Sequence, residues 1–205
     1  RSFPDTGSVP LVCDMSSDIA SRHVDVSRFG LIFAGAQKNL GPSGVTVVIV
    51  RKDLADRAPK TLPQMLQYRT YIKEDSLYNT PPTFGIYLVA LTMEWLSAQG
   101  GPRAVETKNE EKAACLYKAL DESPLFYAPV ERLSRSRMNV VFRVKGDRED
   151  LEKKFAADAE AAGLAGLKGH RSAGGLRASI YNAVPLESVQ ALVAFIKKFE
   201  KENPS

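Results

Sequence analysis

Two side chains in this sequence stand where chemistry is commonly done. Val9-Pro10-Leu11-Val12-Cys13 is a short apolar run that ends abruptly at Asp14. Gly30-Leu31-Ile32-Phe33-Ala34 is a second, and it leads through Gly35-Ala36-Gln37 to Lys38. A carboxylate and a primary amine thus each follow a strand-like run, at the point where strand becomes loop. In open α/β sheets ligands gather outside the carboxyl ends of the strands. An amine and a carboxylate in such a crevice suit pyridoxal phosphate. The amine bonds the cofactor's carbonyl carbon, and the carboxylate keeps the pyridine nitrogen protonated so that the ring accepts electrons. Desolvation and nearby positive charge lower a lysine's pKa and make it a useful nucleophile and base. The same spacing also fits an aspartate that caps a helix and a solvated loop lysine, and spacing alone leaves these readings open.

The elements that must position the pair are legible in outline. A third run, Val45 to Val50, is strongly β-branched and strand-like. Three near-continuous apolar runs without alternation predict strands buried on both faces, as in α/β proteins. Residues 51–82 carry no sustained period and include Pro59, Pro63, Pro81 and Pro82, which predicts a short helix and then a long irregular loop. An apolar-rich helix over 84–99 runs into the stop signal Gly100-Gly101-Pro102. A charged amphipathic helix follows over 103–121, with Val105, Ala113, Leu116 and Leu120 as its inner stripe. Further on, the pattern predicts a strand over 138–144 and a helix over 147–162, capped by Asp147 and ended by Gly163. A short strand over 178–181 precedes a last helix from Pro185, whose inner face carries Leu186, Val189, Leu192, Val193 and Ile196. The order from about residue 125 onward fits a small α+β domain, with the boundary near Gly100-Gly101.

Composition narrows the function classes. With 205 residues, 44% hydrophobic and 25% charged, the chain is of ordinary globular type. No apolar stretch approaches the roughly 18 to 20 residues that span a bilayer. Cys13 and Cys115 are too few for a disulfide framework and fit a reducing compartment. His23 and His170 have no close Cys or His neighbour in sequence, which argues against a zinc site. The densest basic patch, Arg132 to Arg137, lacks interleaved aromatic residues, which argues against nucleic acid. A net charge of +4 is compatible with a small anionic substrate.

Four segments carry a resemblance that reaches much further than these patterns. "VCDMSSD", "VSRFGLIFAGAQKNLGPSGVTVVIVR", "SLYNTPPTFGIY" and "LKGHRSAGGLRASIYNAV" resemble the phosphoserine aminotransferase family, class V aminotransferases of fold-type I, along practically the whole chain. The resemblance implies an α/β fold: residues 1–100 as the C-terminal part of the cofactor-binding large domain, and 101–205 as the small α+β C-terminal domain. It implies pyridoxal 5'-phosphate as cofactor, no metal, and a homodimer in the cytoplasm. The implied reaction belongs to serine biosynthesis: amino transfer between glutamate and 3-phosphohydroxypyruvate, giving O-phosphoserine and 2-oxoglutarate.

Position by position, the resemblance makes Lys38 the Schiff-base lysine and Gln37 a cofactor contact beside it. Asp14 becomes the partner of the pyridine nitrogen, and Asn79 and Thr80 reach the phosphate of a neighbouring subunit's cofactor. His170 and Arg171 fall on substrate-binding residues, and Arg177 on the arginine that grips the substrate carboxylate. A guanidinium holds a carboxylate through two parallel hydrogen bonds. Taken without the resemblance, His170 reads as a hydrogen-bonded structural histidine, Arg177 as a surface arginine after a turn, and Asn79-Thr80 as loop.

Family members are much longer, so the resemblance also leads us to expect that the N-terminal half of the large domain is absent here. Sheet edges and apolar faces would then stand uncovered. The chain alone, as a proteolytic fragment or a truncated form, would turn over little or act only by association. Cysteine desulfurases, of the same class, have histidine before their lysine and need a reactive cysteine on a mobile loop. Here the residue is Gln37, and Cys115 lies in a helical stretch as a packed apolar position.

Overall fold

The computed structural model describes residues 3–170 and 174–204. Arg171 lies outside the described residues. The chain divides into two compact units, Arg1–Pro102 and Arg103–Ser205.

Unit 1 is built on a three-stranded sheet of β1 (Val12–Asp14), β2 (Leu31–Gly35) and β3 (Thr46–Val50). β1 runs parallel to β2, with Asp14 opposite Phe33, and β3 runs antiparallel to β2. The expectation of strands buried on both faces is not met. Ile32 and Ala34 are buried, but Val12, Phe33, Val48 and Ile49 are between 37% and 57% exposed. The reason is supply. The core of this unit is Met15, Phe29 and Ile32, with Phe3, Leu11, Cys13, Ile19 and Val24 packed around it, and these cannot cover two sheet faces.

Residues 51–82 are also more ordered than predicted. α1 (Lys52–Arg57) is followed by a 3-10 turn at Gln64–Leu66 and a second helix, α2 (Tyr68–Lys73). Two buried polar side chains close this segment onto itself. Gln67 donates to the Leu62 carbonyl at 2.6 Å, and Thr70 donates to the Gln64 carbonyl at 2.9 Å. Such local bonds leave no hydrophobic period to read. α3 (Thr83–Ala98) completes the unit with only Leu96 buried.

Unit 2 closes around a single core. α4 (Gly101–Glu122) leads to β4 (Phe126–Tyr127), β5 (Asn139–Val144), α5 (Glu149–Ala161), β6 (Leu176–Ser179) and α6 (Leu186–Glu202). The sheet is antiparallel in the order β4-β5-β6. β5 alternates half-buried and buried residues from Asn139 to Val144, so Val140, Phe142 and Val144 point into the core and Asn139, Val141 and Arg143 away from it. Phe126, Phe142, Phe155 and Phe199 interlock edge to face, with ring centroids 4.9 Å apart for Phe126–Phe155 and 5.1 Å for Phe155–Phe199. Cys115 packs partly buried against this core.

Gly163 ends α5 with φ +85°, its N–H bonded to the Glu160 carbonyl and the Leu164 N–H to that of Ala159. Asp147, expected as the cap of α5, is not one. It sits at φ +52° after Gly146 at φ +79°, serving the turn out of β5, and Arg148 takes the cap position without a side-chain bond. Glu149, Asp150 and Glu152 in the first turn instead complement the helix dipole. No helix among the described residues is long and apolar enough to cross a membrane.

Candidate functional site

The parallel pairing of β1 and β2 brings their carboxyl ends to the same edge of the sheet. Asp14 is the last residue of β1, and Lys38 lies in the turn after β2. Ser16 ties the two exits together. Its hydroxyl donates to Asp14 Oδ1 at 2.6 Å and accepts from the Gly35 N–H at 3.0 Å, while its own N–H donates to the same Asp14 oxygen at 2.8 Å. These Ser16 bonds hold the Asp14 carboxyl below the usual carboxylate range, and the positive charge of Lys38 adds to the effect. Asp14 therefore stays ionised on an exposed strand end.

The turn carrying Lys38 is pinned from below. Ala36, Asn39 and Leu40 are buried, whereas Gln37 and Lys38 are exposed. The Ala36 carbonyl accepts from the N–H groups of Leu40 and Gly41, and Asn39 Nδ2 donates to the Ile19 carbonyl at 3.2 Å. The loop after Asp14 and the loop after β2 are thus one hydrogen-bonded assembly, with a carboxylate and an amine on its solvent side. This donor set fits pyridoxal phosphate: an acceptor held anionic, for a protonated ring nitrogen, beside a primary amine free to bond a carbonyl carbon.

Asn79 and Thr80 are exposed on the loop that enters α3. Asn79 donates to the Thr80 carbonyl at 3.1 Å, and among the described residues neither is bonded to Asp14 or Lys38.

In unit 2, His170 and Arg177 flank one hairpin. The Arg177 N–H donates to the Leu167 carbonyl, the Gly169 N–H to that of Gly175, and the Gly174 N–H to that of His170, at 2.8, 2.9 and 2.8 Å. Arg177 is half-buried on β6 opposite Val141, and its Nε is buried without a hydrogen-bond partner among the described residues.

The residue missed from sequence is Arg143. It lies on the same sheet face as Arg177 and supports the hairpin from beneath. A Cβ on Gly174 would meet its Nη2 at 3.1 Å, and one on Gly175 its Nε at 3.1 Å. Both glycines have positive φ, which is what favours glycine here, and Arg143 packs closely beneath them. Arg143 Nε is 3.5 Å from the buried Glu152 carboxylate, which also accepts the Val144 N–H.

Comparison with known proteins gives the same family. The family model for class-V aminotransferases matches residues 5–192. Phosphoserine aminotransferase of Niallia circulans is 58% identical over 204 residues, which cover 99% of this chain and 56% of the relative. The structure of phosphoserine aminotransferase from Bacillus circulans subsp. alkalophilus superposes with a TM-score of 0.94 at 57% identity, covering 98% of this chain and 56% of that one. That of the pyridoxal-phosphate-bound phosphoserine aminotransferase from Trichomonas vaginalis gives 0.91 at 41% identity, covering 96% and 56%. The chain spans little more than half the length of the relatives it matches.

Proposed function

The chain belongs to the class-V aminotransferases, and from its 58% identity to a phosphoserine aminotransferase we propose that the protein carrying it is a pyridoxal-phosphate-dependent phosphoserine aminotransferase. It would exchange an amino group between glutamate and 3-phosphohydroxypyruvate, forming O-phosphoserine and 2-oxoglutarate. The observation that carries this reading is the Ser16-linked pair of strand exits, which fixes an ionised Asp14 and an exposed Lys38 on one hydrogen-bonded assembly.

When bound, the cofactor supplies an electron sink for the charge that develops at the substrate α-carbon. Lys38 Nζ would be the amine that holds it, and would also serve as the base that moves the substrate α-proton. Asp14 pairs with the ring nitrogen, and its low pKa keeps the negative charge in place at neutral pH. Gln37 would contact the cofactor beside the lysine. Asn79 and Thr80, which make no bond to their own subunit's Asp14 or Lys38 among the described residues, serve the phosphate of a second subunit in a homodimer. Arg177 binds the substrate carboxylate through its guanidinium, and His170 and Arg171 bind the rest of the substrate. Residues 1–100 act as part of the cofactor-binding domain and 101–205 as the small domain. Two free cysteines support a reducing, cytoplasmic setting.

The test is a donor comparison at saturating cofactor. O-Phosphoserine with 2-oxoglutarate turns over, and alanine in its place is poor by at least about a hundredfold in kcat/KM, the scale on which loss of a charge-paired substrate group is felt. Equal rates with the two donors would overturn the substrate assignment.

A further inference from the structure

Lys112 is a charged residue that the proposed reaction does not use, and it is 2% exposed. It lies on α4, with Nζ donating to the carbonyls of Ile180 at 3.1 Å, Tyr181 at 2.8 Å and Val184 at 2.9 Å. No carboxylate pairs with it among the described residues. Burial pulls its amine down to about 8, so near neutrality it still carries three N–H donors. Three donors meet three acceptors, and all belong to the turn that follows β6.

The same turn is held at other points. Asn109, three residues before Lys112 and on the same side of α4, donates to Asn182 Oδ1 at 2.8 Å. Ser179 Oγ and Tyr181 Oη both donate to Asn139 Oδ1 at 3.1 Å, and the Ile180 N–H donates to the Met138 carbonyl at 2.8 Å. β6 is four residues long, and Arg177 is its second. A strand this short is aligned by what anchors its ends. At the exit, the Ile180 carbonyl accepts from the ammonium of Lys112.

We propose that Lys112 is a positioning residue, which holds the exit of β6 so that the Arg177 guanidinium stays aligned for a carboxylate. Burying a charge without a counter-ion is costly, and an apolar helix residue here would pack more cheaply. What the ammonium adds is convergence. It draws three carbonyls of one turn to a single point, which no apolar side chain does. Removing it leaves the Ile180 and Val184 carbonyls without their donor, while the Tyr181 carbonyl keeps only the Val184 N–H, and the turn opens to reach water. The strand then frays from Ile180 back towards Arg177. The inference rests on the proposed role of Arg177.

The experiment compares wild type, Lys112→Met and Arg177→Lys in the cofactor-loaded protein, by steady-state kinetics with 2-oxoglutarate and by amide hydrogen exchange. Lys112→Met raises KM for 2-oxoglutarate about tenfold, the effect of about one misaligned hydrogen bond, and leaves kcat within about threefold. Exchange quickens at Ile180 and Val184 and not at Phe126 or Phe155. Unchanged KM alongside faster exchange at the turn would overturn the proposal, because Lys112 would then only stabilise. Should Lys112→Met not fold, Lys112→Gln, which keeps two donors, decides with a smaller rise or with none. If Arg177→Lys leaves KM unchanged, the assignment of Arg177 fails, and the proposal falls with it for a reason separate from Lys112.

Discussion

The two units handle their apolar side chains in opposite ways. Among the described residues of Arg103–Ser205, nineteen buried residues form one cluster, and Phe126, Phe142, Phe155 and Phe199 are fully enclosed within it. Among the described residues of Arg1–Pro102, the core cluster holds three buried residues, while Phe84 is 73% exposed, Val12 57% and Trp95 40%. Both units have strands and helices of ordinary composition, so the difference lies in layering. Unit 2 folds α5 and α6 over a twisted antiparallel sheet and fills the space between. Unit 1 carries the Asp14–Lys38 assembly on a sheet whose faces its own side chains cover only in part. Its chemistry is held by polar bonds among loops, Ser16 and Asn39 above all, more than by a core.

Substitutions can break this contrast. Phe155→Ala empties the centre of the aromatic cluster and costs about 3–5 kcal/mol of unfolding free energy. Phe84→Ala, at an exposed site, changes it by about 0.5 kcal/mol or less. Urea titration of the two variants measures both, and similar losses would erase the distinction between the units.

Asp14→Asn tests the polar side of the contrast. The shape is nearly kept, so stability stays close to wild type. Turnover falls about a hundredfold, the scale of removing one group that stabilises charge in an active site, and cofactor binding suffers less. Single-turnover rates and far-UV circular dichroism separate the two effects. Unchanged turnover would make Asp14 a structural residue.

The smallest effect sharpens the role of Ser16. Its bonds depress the Asp14 carboxyl, so the ion contributes stability that is present above the ordinary carboxylate value and lost as pH falls through the lower folded value. Ser16→Ala removes the hydroxyl bond and moves the Asp14 midpoint up towards its ordinary value of 3.8. Carbon-detected NMR titration reads the midpoint directly, and one that does not move would assign the depression to another cause.

Much of this was readable from the residues themselves. The α6 stripe, the Gly163 stop and the β-branched strand at 46–50 follow from periodicity and glycine conformation, which act over a few residues. The placing of Asp14 and Lys38 after strands followed from where the apolar runs end. What escaped depends on distant partners. An apolar strand announces that it avoids water, not whether its own chain supplies the cover, so the exposure of Phe33 and Ile49 was not visible. Lys112 and Asn109 fell outside the inner stripe expected for the 103–121 helix because their partners lie about seventy residues away, in the 180–184 turn. Arg143 has no local signature at all. Asp147 misled because the same short polar side chain that caps helices also tolerates the left-handed turn it occupies.

The central claim is that Lys38 is the amine that holds pyridoxal phosphate. Loading the protein with the cofactor, reducing with borohydride and mapping the modified peptide tests it most directly. The account predicts a single phosphopyridoxyl adduct on Lys38, absent from Lys38→Ala, together with loss of transamination in that variant. An adduct on another lysine, or a Lys38→Ala protein that still traps the cofactor and turns over, would contradict it.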